Sequence, residues 1–394
     1  MVAGALAFLA GLTLLLALPA VDEYSSARRL FQINAILGTS LFYMGLGGFL
    51  VVQAASALGS TGSTPMPLRR WPWLLLPLFP PFVLAGQALA EHPARAPWLF
   101  PLVNIAAVAI PSLFVAAIVA RRYQRAHPFA WPVSWREWTS GFVYGAIGAT
   151  SIAVIVNTGY INGMGALLVH TVGHGPAFPL DRSLPRLPHA WGIFLDLTSL
   201  SVVAPLNEEA CKGLLVALFF FRRGGAARCF MWGVLAGTGF NLLETFQNSL
   251  SAVSPEALAD QTIGTAWWWF ASARAGTAAM HGLASGLAGL GFYGLLRRRP
   301  RFLVGYPAGA LLHGTWNLLV YAVWGDALFS QAGPDSTALD VAGIAGMLLV
   351  FAASLVMLWV LSGQLRDEAP APMYRMIGML PARVTGLAQS PPGA

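Results

Sequence analysis

Ten runs of mostly apolar residues divide this chain, each about as long as a bilayer is thick. About twenty residues at 1.5 Å rise cross a hydrocarbon core of ~30 Å. Lipid offers a bare backbone no hydrogen-bond partners, so such runs have to be helical. They fall at about 2–20, 32–56, 72–90, 98–120, 140–160, 191–221, 229–250, 270–296, 302–324 and 339–362. The sixth is too long for one straight helix and contains Pro205, which predicts a kink or a split there. The expected fold class is all-α, a polytopic transmembrane helix bundle of about ten spans. Composition agrees: the 394 residues are 56% hydrophobic and 10% charged, where a soluble domain carries about a quarter charged residues.

The net charge of +7 does not mark a nucleic-acid surface, because the arginines stand in short clusters between apolar runs. Connections after even-numbered runs, with the tail, hold sixteen arginines, and connections after odd-numbered runs hold five. The positive-inside bias places both termini and the even connections in the cytoplasm. Cys211 and Cys229 lie among apolar residues and show neither metal spacing nor a disulfide pattern. The first run resembles a signal-peptide core but lacks a basic start, so it is expected to stay as a first span.

Polar content separates the regions. Residues 1–165, about five spans, have no ionisable constellation and read as a scaffold or partner surface. Residues 166–189 are rich in glycine and proline and read as an extracytoplasmic loop. Residues 190–325, spans six to nine, hold almost every intramembrane ionisable group; 326–365 form the final span; 366–394 read as a disordered cytoplasmic tail.

Four stretches stand out in spans six to nine: NEEACK (207–212), FNLLE (240–244), MHGLASG (280–286) and HGTWN (313–317). An unpaired charge at bilayer depth costs at least ~2.5 kcal/mol, so such residues face a protein interior and often have a task. Counted from the inner arginine clusters at 1.5 Å per residue, Glu208 lies ~21 Å deep, Lys212 ~15 Å, Glu244, His281 and Asn317 ~24 Å, and His313 ~18 Å. Four helices thus place polar groups in one layer, in the outer half of the membrane. Glu208 and Lys212, Phe240 and Glu244, and His313 and Asn317 are each four residues apart and share a helix face. Glu209 points about 100° away from Glu208, so the two carboxylates have different tasks. Small residues at Gly233 and Gly237, at Ala278, Gly282, Gly286 and Gly289, and at Gly305 and Gly309 permit close helix approach. Arg274 is expected at the outer interface, and Phe240 and Trp316 as packing walls.

A glutamate in an oily pocket can act as a general base, and a nearby cation offsets the charge of a second carboxylate. Histidine and asparagine one turn apart can aim donors at a developing oxyanion. Water, a carboxylate and an oxyanion clamp together suit hydrolysis of a carbonyl compound. No serine or cysteine nucleophile stands out, and there is no HExxH helix. The expected cofactor is none. Zinc is the alternative, with Glu208, Glu244, His281 and His313 as ligands.

The motifs EExxK (Glu208–Lys212), FNLLE ending in Glu244, the His281–Gly282 helix and HxxWN (His313–Asn317) resemble, in order and on successive spans, those of the PrsW family of intramembrane proteases. That family belongs to a wider group with the CAAX prenyl-protein proteases and bacterial Abi proteins. The resemblance covers about residues 195–325. It implies a glutamate-type protease in a bacterial plasma membrane that cuts a membrane-anchored protein or peptide, such as an anti-sigma factor. On it, Glu208 would activate water and Glu209 and Lys212 would orient or tune it. His313 and Asn317 would bind the oxyanion, and His281 and Glu244 would complete the pocket. In the CAAX relatives the second motif ends in histidine where this chain has Glu244, so that role is not carried over. Two other readings compete. A proton- or cation-coupled transporter would spread polar groups through the membrane depth and show related halves. A non-catalytic relative would keep the fold as a scaffold.

Overall fold

The computed structural model describes residues 2–18, 25–58, 65–66, 72–127, 133–172, 189–217, 224–255, 258, 267–324 and 336–365. The expected tail, and residues 173–188 of the expected extracytoplasmic loop, lie outside the described residues. Residues 166–172 of that loop are instead the last turns of a helix.

The described residues form long helices at all ten apolar runs. They are α1 (Val2–Leu15), α2 (Ser26–Leu58), α3 (Pro72–Glu91), α4 (Phe100–Ala126), α5 (Trp135–Val172), α6 (189–215), α7 (Ala226–Ala252), α8 (Trp267–Leu296), α9 (Gly305–Trp324) and α10 (Ser336–Gln364). Six of them, α2, α3, α4, α5, α8 and most of α10, are long and apolar enough to cross a membrane. The expected ten is therefore met in helices, and by six on length and apolarity. α1 is shorter, and α6, α7 and α9 hold three of the four polar stretches. The fold is an all-α bundle of a multi-pass membrane protein.

α7 and α8 pack against each other along their length at the centre. α4 and the first half of α5 cover α7, while α9 and α10 cover α8. Missing side chains make the central seam. A Cβ at Gly233 would overlap the Ser285 carbonyl, one at Gly237 the His281 carbonyl, and one at Gly309 the Ala284 carbonyl. Gly233, Gly237, Gly289, Gly305 and Gly309 are thus where backbones touch, while Gly282 and Gly286 make room for side chains of Val115 and Phe230.

Three helices are interrupted by a wide turn, at Asn34–Gly38, Tyr144–Ala149 and Ser199–Val203. The last precedes Pro205, where a kink or split is expected; the helix is not split there but runs on through this one wide turn. Its i-to-i+5 pattern is set where Ala204 N–H donates to Ser199 O. The next carbonyl, Leu200, would need the N–H of Pro205, which proline lacks. Asn317 of α9 fills the gap, donating from Nδ2 to Leu200 O at 2.8 Å. A Cβ at Gly314 would overlap the neighbouring Ser201 carbonyl, so α9 lies directly on the break.

Candidate active site

Immediately after the break, the α6 turn carrying Glu208, Glu209 and Lys212 enters the bundle. Glu209 is fully buried and has both oxygens engaged. Its Oε1 accepts from Lys212 Nζ at 2.7 Å and lies 3.0 Å from His313 Nδ1; its Oε2 accepts from Ser285 Oγ at 2.7 Å. α6, α8 and α9 are thereby tied to one carboxylate. Glu208 and Lys212 share a helix face as the spacing predicts, but the lysine lies closer to Glu209, at 2.7 Å, than to Glu208, at 3.6 Å.

The lysine ammonium also lies 3.0 Å from His281 Nδ1 and 4.0 Å above the Phe240 ring. Phe240, expected as a wall, is thus a cation–π floor as well. An ammonium can only donate, so Nδ1 of His281 accepts and the ring proton sits on Nε2. That Nε2 faces Glu244 Oε2 at 3.0 Å but forms no aligned hydrogen bond. His313 is arranged the other way round. Its Nδ1–H donates to Glu209, and its Nε2 lies 3.8 Å from Glu208 Oε2. The two rings meet edge to face, with centroids 4.5 Å apart.

Glu208 differs from Glu209 in what its oxygens touch. Oε1 accepts from Asn157 Nδ2 at 3.2 Å, while Oε2 is buried with no hydrogen-bond partner among the described residues. Its side chain keeps 10% exposure and that of Glu244 27%, against none for Glu209 and Lys212. The open side of the site therefore lies at Glu208 and Glu244.

Six of the seven residues singled out in the sequence meet here: Glu208, Glu209, Lys212, Glu244, His281 and His313. Asn317 is on the same helix as His313, but its amide is turned to the backbone of α6. Four partners were missed. Arg274, expected at the interface, is half-buried beside the site; it reaches Glu244 Oε2 at 2.8 Å and Thr245 Oγ1 at 3.0 Å. Its signal was in the sequence, since it lies seven residues, two turns, before His281. Ser285, one turn after His281, was legible in the same way. Asn157 comes from the region read as scaffold, with no local pattern to announce it. Thr245 is linked onward through Asn241 to Ser112 of α4.

Three carboxyl groups, Glu208, Glu209 and Glu244, thus share one lysine and one arginine. Single ligand atoms of Glu208, His281 and His313 lie within 4.8 Å of one another, close enough to hold a metal ion. The donor set fits one. Glu208 Oε2 and His281 Nε2 are buried polar atoms with no aligned hydrogen bond among the described residues, and His313 Nε2 has a lone pair with its Nδ1–H braced by a carboxylate, as metal-bound histidines commonly are. To ligate through Nε2, His281 would have to carry its proton on Nδ1 instead, where the Lys212 ammonium now donates at 3.0 Å.

Fold and site together define a membrane-embedded helix bundle with a buried Glu–His–His centre. A family model described as PrsW family intramembrane metalloprotease matches residues 135–358, more than half of the chain. The chain belongs to this family, and membership places it among intramembrane peptidases. The match begins at α5, so it covers Asn157 as well as the four motifs, well before residue 195. No curated protein and no solved structure matches the chain.

Proposed function

We propose that the protein is an endopeptidase that hydrolyses a peptide bond of a membrane-anchored protein in the outer half of the bilayer. Glu208 takes the proton of the attacking water on Oε2 and delivers it to the leaving amine. The observation that carries this reading is the asymmetry of the glutamate pair: both oxygens of Glu209 are engaged, whereas Oε2 of Glu208 is unpartnered beside two histidines. Glu209 and Lys212 then form the fixed part of the site, holding His313 and His281 in opposite tautomers. Arg274 keeps Glu244 beside His281 Nε2. Asn317 acts through the helix break rather than on the oxyanion.

Glu208, His281 and His313 would hold a divalent metal such as zinc, which when bound supplies Lewis-acid polarisation of the peptide carbonyl and an acidified water; Glu208 Oε2 would then be a ligand rather than the base. A metal-free glutamate mechanism is the second reading. It is favoured by the Lys212–His281 contact, which leaves an Nε2–H as an oxyanion donor. The sequence motifs favour a substrate of the anti-sigma-factor type, a single-span protein cut on its extracytoplasmic side.

Co-expression with a panel of tagged single-span membrane proteins tests the assignment. The wild type is expected to release a soluble fragment from at least one panel member, and E208Q and H313A are expected to release none. A wild type that cleaves no member, or an E208Q variant that cleaves as well as wild type, overturns it. Elemental analysis of the purified protein separates the readings of the site. One metal per chain, lost in H281A and H313A, supports the metal centre. A metal-free protein that cleaves in the presence of chelator supports the second reading.

A further inference from the structure

Asn157 is the one side chain of α5 hydrogen-bonded to a carboxylate of the site among the described residues, and its orientation can be deduced. The Ala153 carbonyl can only accept, so the side chain of Asn207 that approaches it at 3.2 Å presents its nitrogen. The same Nδ2 donates its other hydrogen to Asn157 Oδ1 at 2.9 Å. The Cys211 thiol, 3.5 Å from Asn207 Oδ1, agrees with this orientation. With its oxygen facing Asn207, Asn157 must turn its NH₂ toward Glu208 Oε1, 3.2 Å away. A backbone carbonyl thus fixes Asn207, Asn207 fixes Asn157, and Asn157 holds one oxygen of Glu208.

We propose that Asn157 is a positioning residue for the Glu208 carboxylate, an inference that rests on Glu208 being the base. A glutamate carboxylate rotates broadly about its last bond, and its two oxygens are chemically equivalent until something distinguishes them. Here the Asn157 donor takes Oε1 and leaves Oε2 facing the histidines. A competitor stands close by: Lys212 Nζ is 3.6 Å from Oε2, just beyond hydrogen-bonding distance. Without the Asn157 donor, Glu208 swings onto the ammonium, and its working oxygen becomes a second salt bridge. α5 therefore belongs to the site, although its outer face, with Ile155 72% exposed, points away from the protein.

The decisive variant is N157D. It keeps the side-chain shape and still accepts from Asn207 Nδ2, but loses the donor to Glu208 and brings a like charge beside it. N157L, of similar volume, loses both contacts. The probe is a tagged single-span protein that the wild type cleaves, assayed in liposomes. Loss of a hydrogen bond to a charged group predicts a kcat about ten- to a hundredfold lower in N157D, with KM within about twofold and an unfolding temperature in detergent close to wild type. If Asn157 only ties α5 to α6, N157D cleaves at the wild-type rate and N157L alone is impaired, and the proposal falls. E208Q, run alongside, keeps the two claims apart. An inactive E208Q beside a fully active N157D removes the positioning role and leaves the base assignment standing. A fully active E208Q removes the base assignment and the positioning role with it.

Discussion

Lys212 is the only lysine among 23 basic residues, and its surroundings explain why arginine does not replace it. Its ammonium meets Glu209, His281 and Glu208 at 2.7, 3.0 and 3.6 Å and lies 4.0 Å over Phe240. These partners surround a point, which suits a compact rotatable donor; a guanidinium is a flat fork with a longer reach. K212R is therefore expected to cut the cleavage rate at least about a hundredfold, the scale of removing a preorganised donor, in the liposome assay. K212M strands Glu209, which is fully buried, and its expected cost is about 3–5 kcal/mol, read as a lower unfolding temperature in detergent. Much of this site was legible at the residue scale, because helical spacing puts His281, Ser285 and Arg274 on one face. Asn157 was not legible: one asparagine in an apolar run acquires meaning only from what another helix brings opposite it.

The clearest example among the elements is α6. Pro205 in a long apolar run predicts a kink or a split, and the helix instead absorbs it in one wide turn at Ser199–Val203. What the run could not show is how the break is completed. Leu200 O, deprived of a donor by Pro205, takes one from Asn317 on a helix more than a hundred residues later. N317A leaves that carbonyl unpaired, with an expected cost of about 1–3 kcal/mol. The same variant should lower cleavage, because the turn carrying Glu208 and Glu209 begins at the break. An unchanged unfolding temperature together with an unchanged rate would contradict both expectations. The resemblance of HxxWN to family motifs gave Asn317 an oxyanion role, and the geometry instead favours this backbone one. The helices carrying Glu208, Glu244 and His313 are also the ones least distinct in apolarity, since each has exchanged oily residues for site residues.

For the whole molecule, the family match from residue 135 invites a division into scaffold and protease core, but the packing does not divide there. Ala116, Ala117 and Ala120 of α4 are fully buried in the main core with Phe230, Val234 and Ala278. Two buried polar ties join α4 to α7, Asn104–Ser249 at 2.7 Å and Ser112–Asn241 at 2.9 Å. A chain shortened to residues 135–365 uncovers that face of α7 and α8. It is expected to aggregate or elute as a mixture on gel filtration in detergent, where the full chain gives one species. A single stable species from the shortened chain would show that α4 is dispensable to the core.

The sequence alone determined the helical, membrane-spanning architecture, because lipid leaves a bare backbone no alternative, and it determined which polar residues had to face inward, because exposing them to lipid is too costly. Order and spacing of four motifs were enough to point to the family. Tertiary structure decided the pairings: Lys212 closest to Glu209, Arg274 with Glu244, Asn317 with the Leu200 carbonyl, and Asn157 with Glu208. Hydrophobic patterning acts along one helix and is written in local spacing. A hydrogen bond between helices depends on rotation and depth to within an ångström, and only the packed glycine seams of α7, α8 and α9 set those.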